Sequence, residues 1–90
     1  MPEEAKWYVV HTYSGYENKV ADSILNAVEN RQLHHLIREV KIPTEKVIEI
    51  TKDNQKKEVE RKLFPSYVLV KMILTDDSWY VVRNIRGVTA

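Results

Sequence analysis

The densest chemical signal in the sequence is Lys62-Leu63-Phe64-Pro65-Ser66-Tyr67-Val68-Leu69-Val70. Pro65 fixes its own φ and biases Phe64 toward an extended conformation, so two aromatics flank a stiff corner ahead of an apolar strand. Aromatics on a rigid element offer large apolar area at low entropic cost, which is the chemistry of an anchor for a protein partner. The plainer alternative places both rings in the core.

Other chemistry is excluded by residue type. The chain has no cysteine, so disulfides, thiolate metal sites and cysteine nucleophiles are ruled out. Of the histidines, His34 and His35 diverge on a helix, and neither they nor His11 have carboxylates at ligand spacing. Gly15 and Gly87 are the only glycines, so no glycine-rich phosphate loop exists. No catalytic residue, metal or cofactor is predicted, and the chain is not expected to be an enzyme.

The elements that position these residues follow from periodicity. Trp7 to Tyr13 is aromatic and β-branched, which predicts a buried strand. Ser14-Gly15-Tyr16-Glu17 has capping-box spacing, and Tyr16, Val20, Ile24, Ala27 and Val28 mark one face of a helix running to Asn30. Leu33, Leu36 and Ile37 suit a further short helical turn. Val40-Lys41-Ile42-Pro43 begins a second strand that Lys46 to Ile50 resumes, with Pro43 at an edge or bulge. Lys52 to Lys56 is a polar turn, and Lys57 to Leu63 returns as a charged strand, making a hairpin whose tip projects into solvent. Tyr67 to Ile73 is the most apolar strand and is expected at the centre. Thr75-Asp76-Asp77-Ser78 starts a last helix, Gly87 stops it, and Val88-Thr89-Ala90 opens a final strand. The order β-α-β-β-β-α-(β) predicts an α+β fold of the split βαβ, ferredoxin-like kind.

Composition agrees with one small domain spanning residues 1–90. Hydrophobic residues make up 43%, enough for a single core, and 30% are charged with a net charge of only +1. Interspersed charge of both signs fits a globule and not a strongly basic DNA clamp. The segment Lys52 to Lys62 carries five positive and three negative side chains, the pattern of a solvated ribbon. The N-terminal residues show no secretory leader, and no apolar run reaches the roughly 20 residues of a membrane span.

The motifs also carry a resemblance. Trp7-Tyr8-Val9-Val10-His11-Thr12-Tyr13-Ser14-Gly15-Tyr16-Glu17 resembles the opening signature of the NusG family. Val40-Lys41-Ile42-Pro43-Thr44-Glu45 resembles its second strand, and Arg61 to Val70 its Phe-Pro-Gly-Tyr strand. Asp77 to Arg83, followed by Gly87-Val88, resembles its last helix and exit. The blocks stand in the family's order and spacing. The resemblance implies a bacterial NusG N-terminal domain: an antiparallel sheet of about four strands, two main helices and a short extra helix. It implies a cytoplasmic monomer that binds RNA polymerase, bridges the DNA cleft, and modulates processivity, pausing and termination or antitermination.

Carried over by position, the pocket for the clamp helices of the largest polymerase subunit would comprise Tyr8, Phe64 and Tyr67, with Trp7 beneath as support. Asp76, Asp77 and Ser78 would face the lobe of the second-largest subunit. Trp79, Arg83 and Asn84 would face the non-template DNA strand, and their types suit that implied role: a guanidinium neutralises phosphate, an amide bonds a base edge, and an indole stacks on an unpaired base. The structural alternative is that Trp79, sharing a helical face with Val82, is core, and that Arg83 is a dipole-compatible helix charge. The sequence departs from the family at Ser66, where Gly is usual and a positive φ would be strained, and at Ile85-Arg86. A C-terminal KOW domain, which contacts Rho or a ribosomal protein, would lie outside this chain. The rival from another class is an RNA-recognition module that binds single-stranded RNA. Lys62 to Tyr67 mimics its strand signature, but Leu63 stands in place of Gly and Pro65 breaks the ladder. An acylphosphatase-like hydrolase is a weaker rival, since only Arg83-Asn84 speaks for it.

Overall fold

The computed structural model describes residues 4–89. The N-terminal residues Met1, Pro2 and Glu3, and Ala90 of the expected exit strand, fall outside them. Seven elements follow in order: β1 (Lys6–His11), α1 (Glu17–Arg31), β2 (Ile37–Lys41), β3 (Thr44–Ile50), β4 (Lys56–Lys62), β5 (Tyr67–Met72) and α2 (Asp76–Arg83). β5 is the central strand of a three-stranded sheet, antiparallel to β1 on one side and β2 on the other. β3 and β4 form a separate hairpin. A lone bridge from Thr12 to Val88 sets the exit segment beside β1. Without the hairpin the arrangement is a split βαβ: α1 joins β1 to β2, and β5 lies between them. The expected α+β class is therefore what is observed.

Side chains alternate across each strand. Val10 of β1 and Val68, Val70 and Met72 of β5 point toward the helices and are buried. α1 presents Val20, Ile24 and Val28 to them at i, i+4 and i+8, one face of a 3.6-residue helix. α2 closes the core with Val81 and Val82. The core is one cluster on one side of the sheet. The other side, with Trp7, Val9, Tyr67 and Leu69, carries no helix.

Several local expectations change. The first strand is buried on one side only. α1 does not begin with the Ser14–Glu17 capping box: Tyr16 is the N-cap and makes no side-chain cap bond, and the Glu17 carboxylate points elsewhere. The helix ends at Gln32, whose N–H donates to the Val28 carbonyl and whose left-handed φ of 54° turns the chain so that the Leu33 N–H reaches the same carbonyl at 2.9 Å. The extra helix at Leu33 to Ile37 is a single turn. The N–H groups of Leu36 and Ile37 both bond the Leu33 carbonyl at 2.9 Å, and Ile37 then enters β2. The second strand is broken at Ile42-Pro43, leaving β2 in the sheet and β3 in the hairpin. Pro43 has no N–H to offer a ladder, but its carbonyl accepts from Leu63 N–H at 2.9 Å and ties the hairpin's two roots together.

The hairpin does project. The molecule measures 57 × 26 × 21 Å with a radius of gyration of 15.9 Å. A compact chain of this length would have about 12 Å. The ribbon is held by its ladder, the half-buried Val47–Val59 pair and the Arg61–Glu49 and Lys46–Glu58 ion pairs. Gly87 is not the stop of α2, which ends at Arg83 with Asn84 as its C-cap; it shapes the exit segment instead. Its φ is +103°, and a Cβ there would sit 2.9 Å from a Val20 methyl and 3.0 Å from the Tyr16 ring. Only glycine lets the exit segment lie this close to α1.

Candidate partner-binding face

The Phe64-Pro65-Ser66-Tyr67 corner is a turn closed by Tyr67 N–H donating to the Phe64 carbonyl at 3.3 Å. Pro at its second position and a positive φ of 73° at Ser66, its third, are the pattern of a type II turn. A left-handed conformation at a serine costs about 1–2 kcal/mol, so the turn needs support. Thr12 N–H donates to the Ser66 carbonyl at 2.8 Å. Ser66 N–H donates to Glu17 Oε2 at 2.9 Å, and Lys62 Nζ donates to Glu17 Oε1 at 3.2 Å.

Glu17 is 2% exposed. The Ser66 N–H, its own backbone N–H and the Lys62 ammonium hold its carboxyl at about 2, against the ordinary 4.5, although burial pushes the other way. A buried carboxylate with both oxygens satisfied is a structural fixture of the corner. The sequence reading assigned Glu17 to a helix cap because the cap spacing is local, whereas its true partners lie 45 and 49 residues away.

The turn places Phe64, 59% exposed, and Tyr67 over the open side of the sheet. With Val9, Pro43 and Leu69 they line a wholly apolar recess of about 310 Å³. Val9 and Leu69 are direct cross-strand partners, as are His11 and Tyr67, whose rings stand 5.0 Å apart. Val9, Pro43 and Leu69 were not singled out from the sequence. Alternation gives away two of them: with Tyr67 outward, Leu69 is outward, and so is Val9 opposite it.

Trp7 lies further along this same side rather than beneath the recess. It is 42% exposed, with Lys41 Nζ 5.5 Å from its ring centre. Its cross-strand partner Lys71 pairs with Glu39 at 3.8 Å. The recess thus has a polar, mixed-charge border at that end.

Tyr8 is not in the recess. It neighbours Trp7 in the chain and so points to the opposite side, packed against the core. There it lines a second depression of about 400 Å³ with Leu74, Thr75, Asp76 and Trp79. Trp79 is 44% exposed and stands at the edge of the buried stripe of α2 instead of within it.

The other α2 residues divide in the same way. Asp76, Asp77, Arg83 and Asn84 are exposed. Ser78 is fully buried: its Oγ exchanges capping bonds with Thr75 and donates to the Ile73 carbonyl at 2.8 Å. It is a helix cap and offers nothing to a partner, because a hydroxyl already saturated inside the protein has no bond left to give. Asn84 Nδ2 donates to the Tyr80 carbonyl at 2.7 Å, leaving its amide oxygen outward.

The remaining candidates for chemistry do not converge. His34 pairs with Glu29 at 3.1 Å on the surface, and His11 Nδ1 lies 2.9 Å from Thr89 Oγ1. Among the described residues no cluster of three or more His, Cys, Asp or Glu could hold a metal, and no helix is long and apolar enough to cross a membrane.

Comparison with known proteins agrees with this fold. The chain is 55% identical over 86 residues to the transcription termination/antitermination protein NusG of Halalkalibacterium halodurans, covering 96% of this chain and 48% of that protein. It is 54% identical to the Bacillus subtilis protein of the same name, with the same coverage. The structure of Thermotoga maritima NusG, described for its domain interaction, superposes with a TM-score of 0.72 at 37% identity, over 97% of this chain and 45% of that one. The chain thus spans about half the length of the relatives it matches. The family model described as transcription termination factor nusG matches residues 5–90. With that match running almost end to end, and relatives more than half identical beside it, this chain belongs to the NusG family.

Proposed function

We propose that this chain is the polymerase-binding N-terminal domain of a transcription elongation factor, and that it docks on the clamp helices of the largest RNA polymerase subunit through the Phe64–Tyr67 recess. The observation that carries this reading is the recess itself: an apolar concavity built from aromatic and aliphatic side chains on a face that no helix covers. Grooves of this kind take the apolar face of a helix. Trp7 extends the contact along the sheet, and Tyr8 supports β1 from the core side. A docked domain would bridge the cleft through Asp76 and Asp77 at the second-largest subunit, and would face non-template DNA through Trp79, Arg83 and Asn84. This is a binding function in the cytoplasm, without catalysis. Rho or ribosomal contacts belong to a further domain.

Truncating Phe64 to Ala should weaken binding to the isolated clamp-helix hairpin by about 2–4 kcal/mol, the usual loss for a central aromatic anchor. The circular dichroism spectrum should not change, because Phe64 lies outside the core. Undiminished affinity in the folded variant would remove the recess from the interface.

One observation favours a second reading, as a single-stranded RNA-binding module. The open sheet face carries Trp7, His11 and Tyr67 beside Lys41 and Lys71, a stacking surface with cations. Tight RNA binding without polymerase, lost with Tyr67→Ala, would support it over docking.

A further inference from the structure

The geometry points to Glu17 as the positioning residue of the recess: one buried carboxylate, on the first turn of α1, latches both ends of the segment that carries Phe64 and Pro65. Its two oxygens divide the work. Oε1 takes the Lys62 ammonium at the end of β4, and Oε2 takes the Ser66 N–H at the start of β5, at 3.2 and 2.9 Å. Leu63, Phe64 and Pro65 lie between those two anchor points. The hairpin root, the turn and the helix are therefore joined at a single side chain.

The latch answers a specific need. Ser66 holds a φ of 73°, a region a serine enters only when its surroundings compensate. A charge-assisted bond to its N–H from the buried Glu17 carboxylate is the strongest compensation in the vicinity. Without it Ser66 would relax toward negative φ. The peptide planes on either side would then turn, and Phe64 and Tyr67 would no longer line the recess together. The role concerns the shape of the recess and rests on the docking reading only where affinity is concerned.

The test compares the chain with Glu17→Gln and Glu17→Asp variants, each alone and combined with Ser66→Gly. The first readout needs no partner: amide hydrogen exchange at Ser66, against Val68 and Val70 in the core. Glu17→Gln should speed exchange at Ser66 about tenfold more than at the core amides, as expected for replacing a charge-assisted bond by a neutral one. Glu17→Asp retains the charge but falls one methylene short, and should give the same local signature should the Gln variant fail to fold.

The second readout is affinity for the isolated clamp-helix hairpin, expected to fall about tenfold in either variant. Glycine adopts a positive φ without cost. Ser66→Gly should therefore return the Glu17→Gln variant to within about threefold of Ser66→Gly alone. Exchange that rises equally at Ser66, Val68 and Val70 would overturn the latch, reducing Glu17 to general stability. Local loosening at Ser66 with unaltered clamp-helix affinity would uphold the latch and sink the docking reading.

Discussion

The two sides of the three-stranded sheet are built from the same strands, yet they face opposite solvents. On β5, Val68, Val70 and Met72 are completely buried beneath α1 and α2, while Tyr67, Leu69 and Lys71 alternate with them and remain open. β1 repeats the pattern with Val10 inside and Val9 outside at 64% exposure. A sheet face destined for water reads as polar in alternate positions; this one does not. Val9, Phe64 and Leu69 stay apolar without a covering layer, the feature on which the docking proposal rests. The helical side carries folding stability, and the open side is the one proposed for recognition.

That division can be broken from either side. The largest effect belongs to the core: Met72→Ala should lower stability by about 2–5 kcal/mol in denaturant melts, since neighbours packed on a fully buried side chain cannot close the cavity. Leu69→Ala, three positions away on the other face, should lower stability by less than about 1 kcal/mol while weakening clamp-helix binding. Comparable destabilisation by both would mean that the open face is structurally committed after all. Gly87→Ala should come next, at about 1–3 kcal/mol of lost stability, because its new methyl meets Val20 and Tyr16 in a backbone conformation alanine resists.

Glu17 connects the two sides, and its titration sharpens the comparison. Its folded carboxyl ionises at about 2, its ordinary value being 4.5, so the unfolded chain takes up the proton first as the solution is acidified. The contribution is therefore fully present above about pH 4.5 and lost as pH falls toward 2. Stability measured from pH 6 down to 2 should show this loss in the wild type and a shallower slope in Glu17→Gln, and equal slopes would contradict the assignment. The smallest effect is a gain: Ser66→Gly should add about 0.5–1 kcal/mol by relieving the positive φ.

The alternation of strands and helices, the central place of β5, the projecting hairpin and the start of α2 are legible, because each rests on local periodicity or a local stop; the split of the expected second strand into β2 and β3 is not. The Ser66 departure also told the truth: its positive φ is the one a glycine would adopt freely. What escaped was whatever depends on facing. In Trp7-Tyr8-Val9-Val10 both alternating sets are apolar, so period two separates the faces without saying which is inside. The resemblance groups Tyr8 with Phe64, and alternation alone does not reveal that the sheet divides them. It also gives Ser78 to a partner, and a hydroxyl at a helix start carries no sequence mark of burial to say otherwise. Glu17 was given to a cap because a bond to residue 66 leaves no trace in the spacing around residue 17.

The most direct measurement is a methyl and amide NMR titration of the chain with the isolated clamp-helix hairpin. If the open face is the docking surface, Val9 and Leu69 methyl resonances and the Tyr67 amide shift together and saturate, while Val20 and Ile24 stay in place. Shifts confined to Tyr8, Leu74 and Trp79, or none at all, would contradict the account.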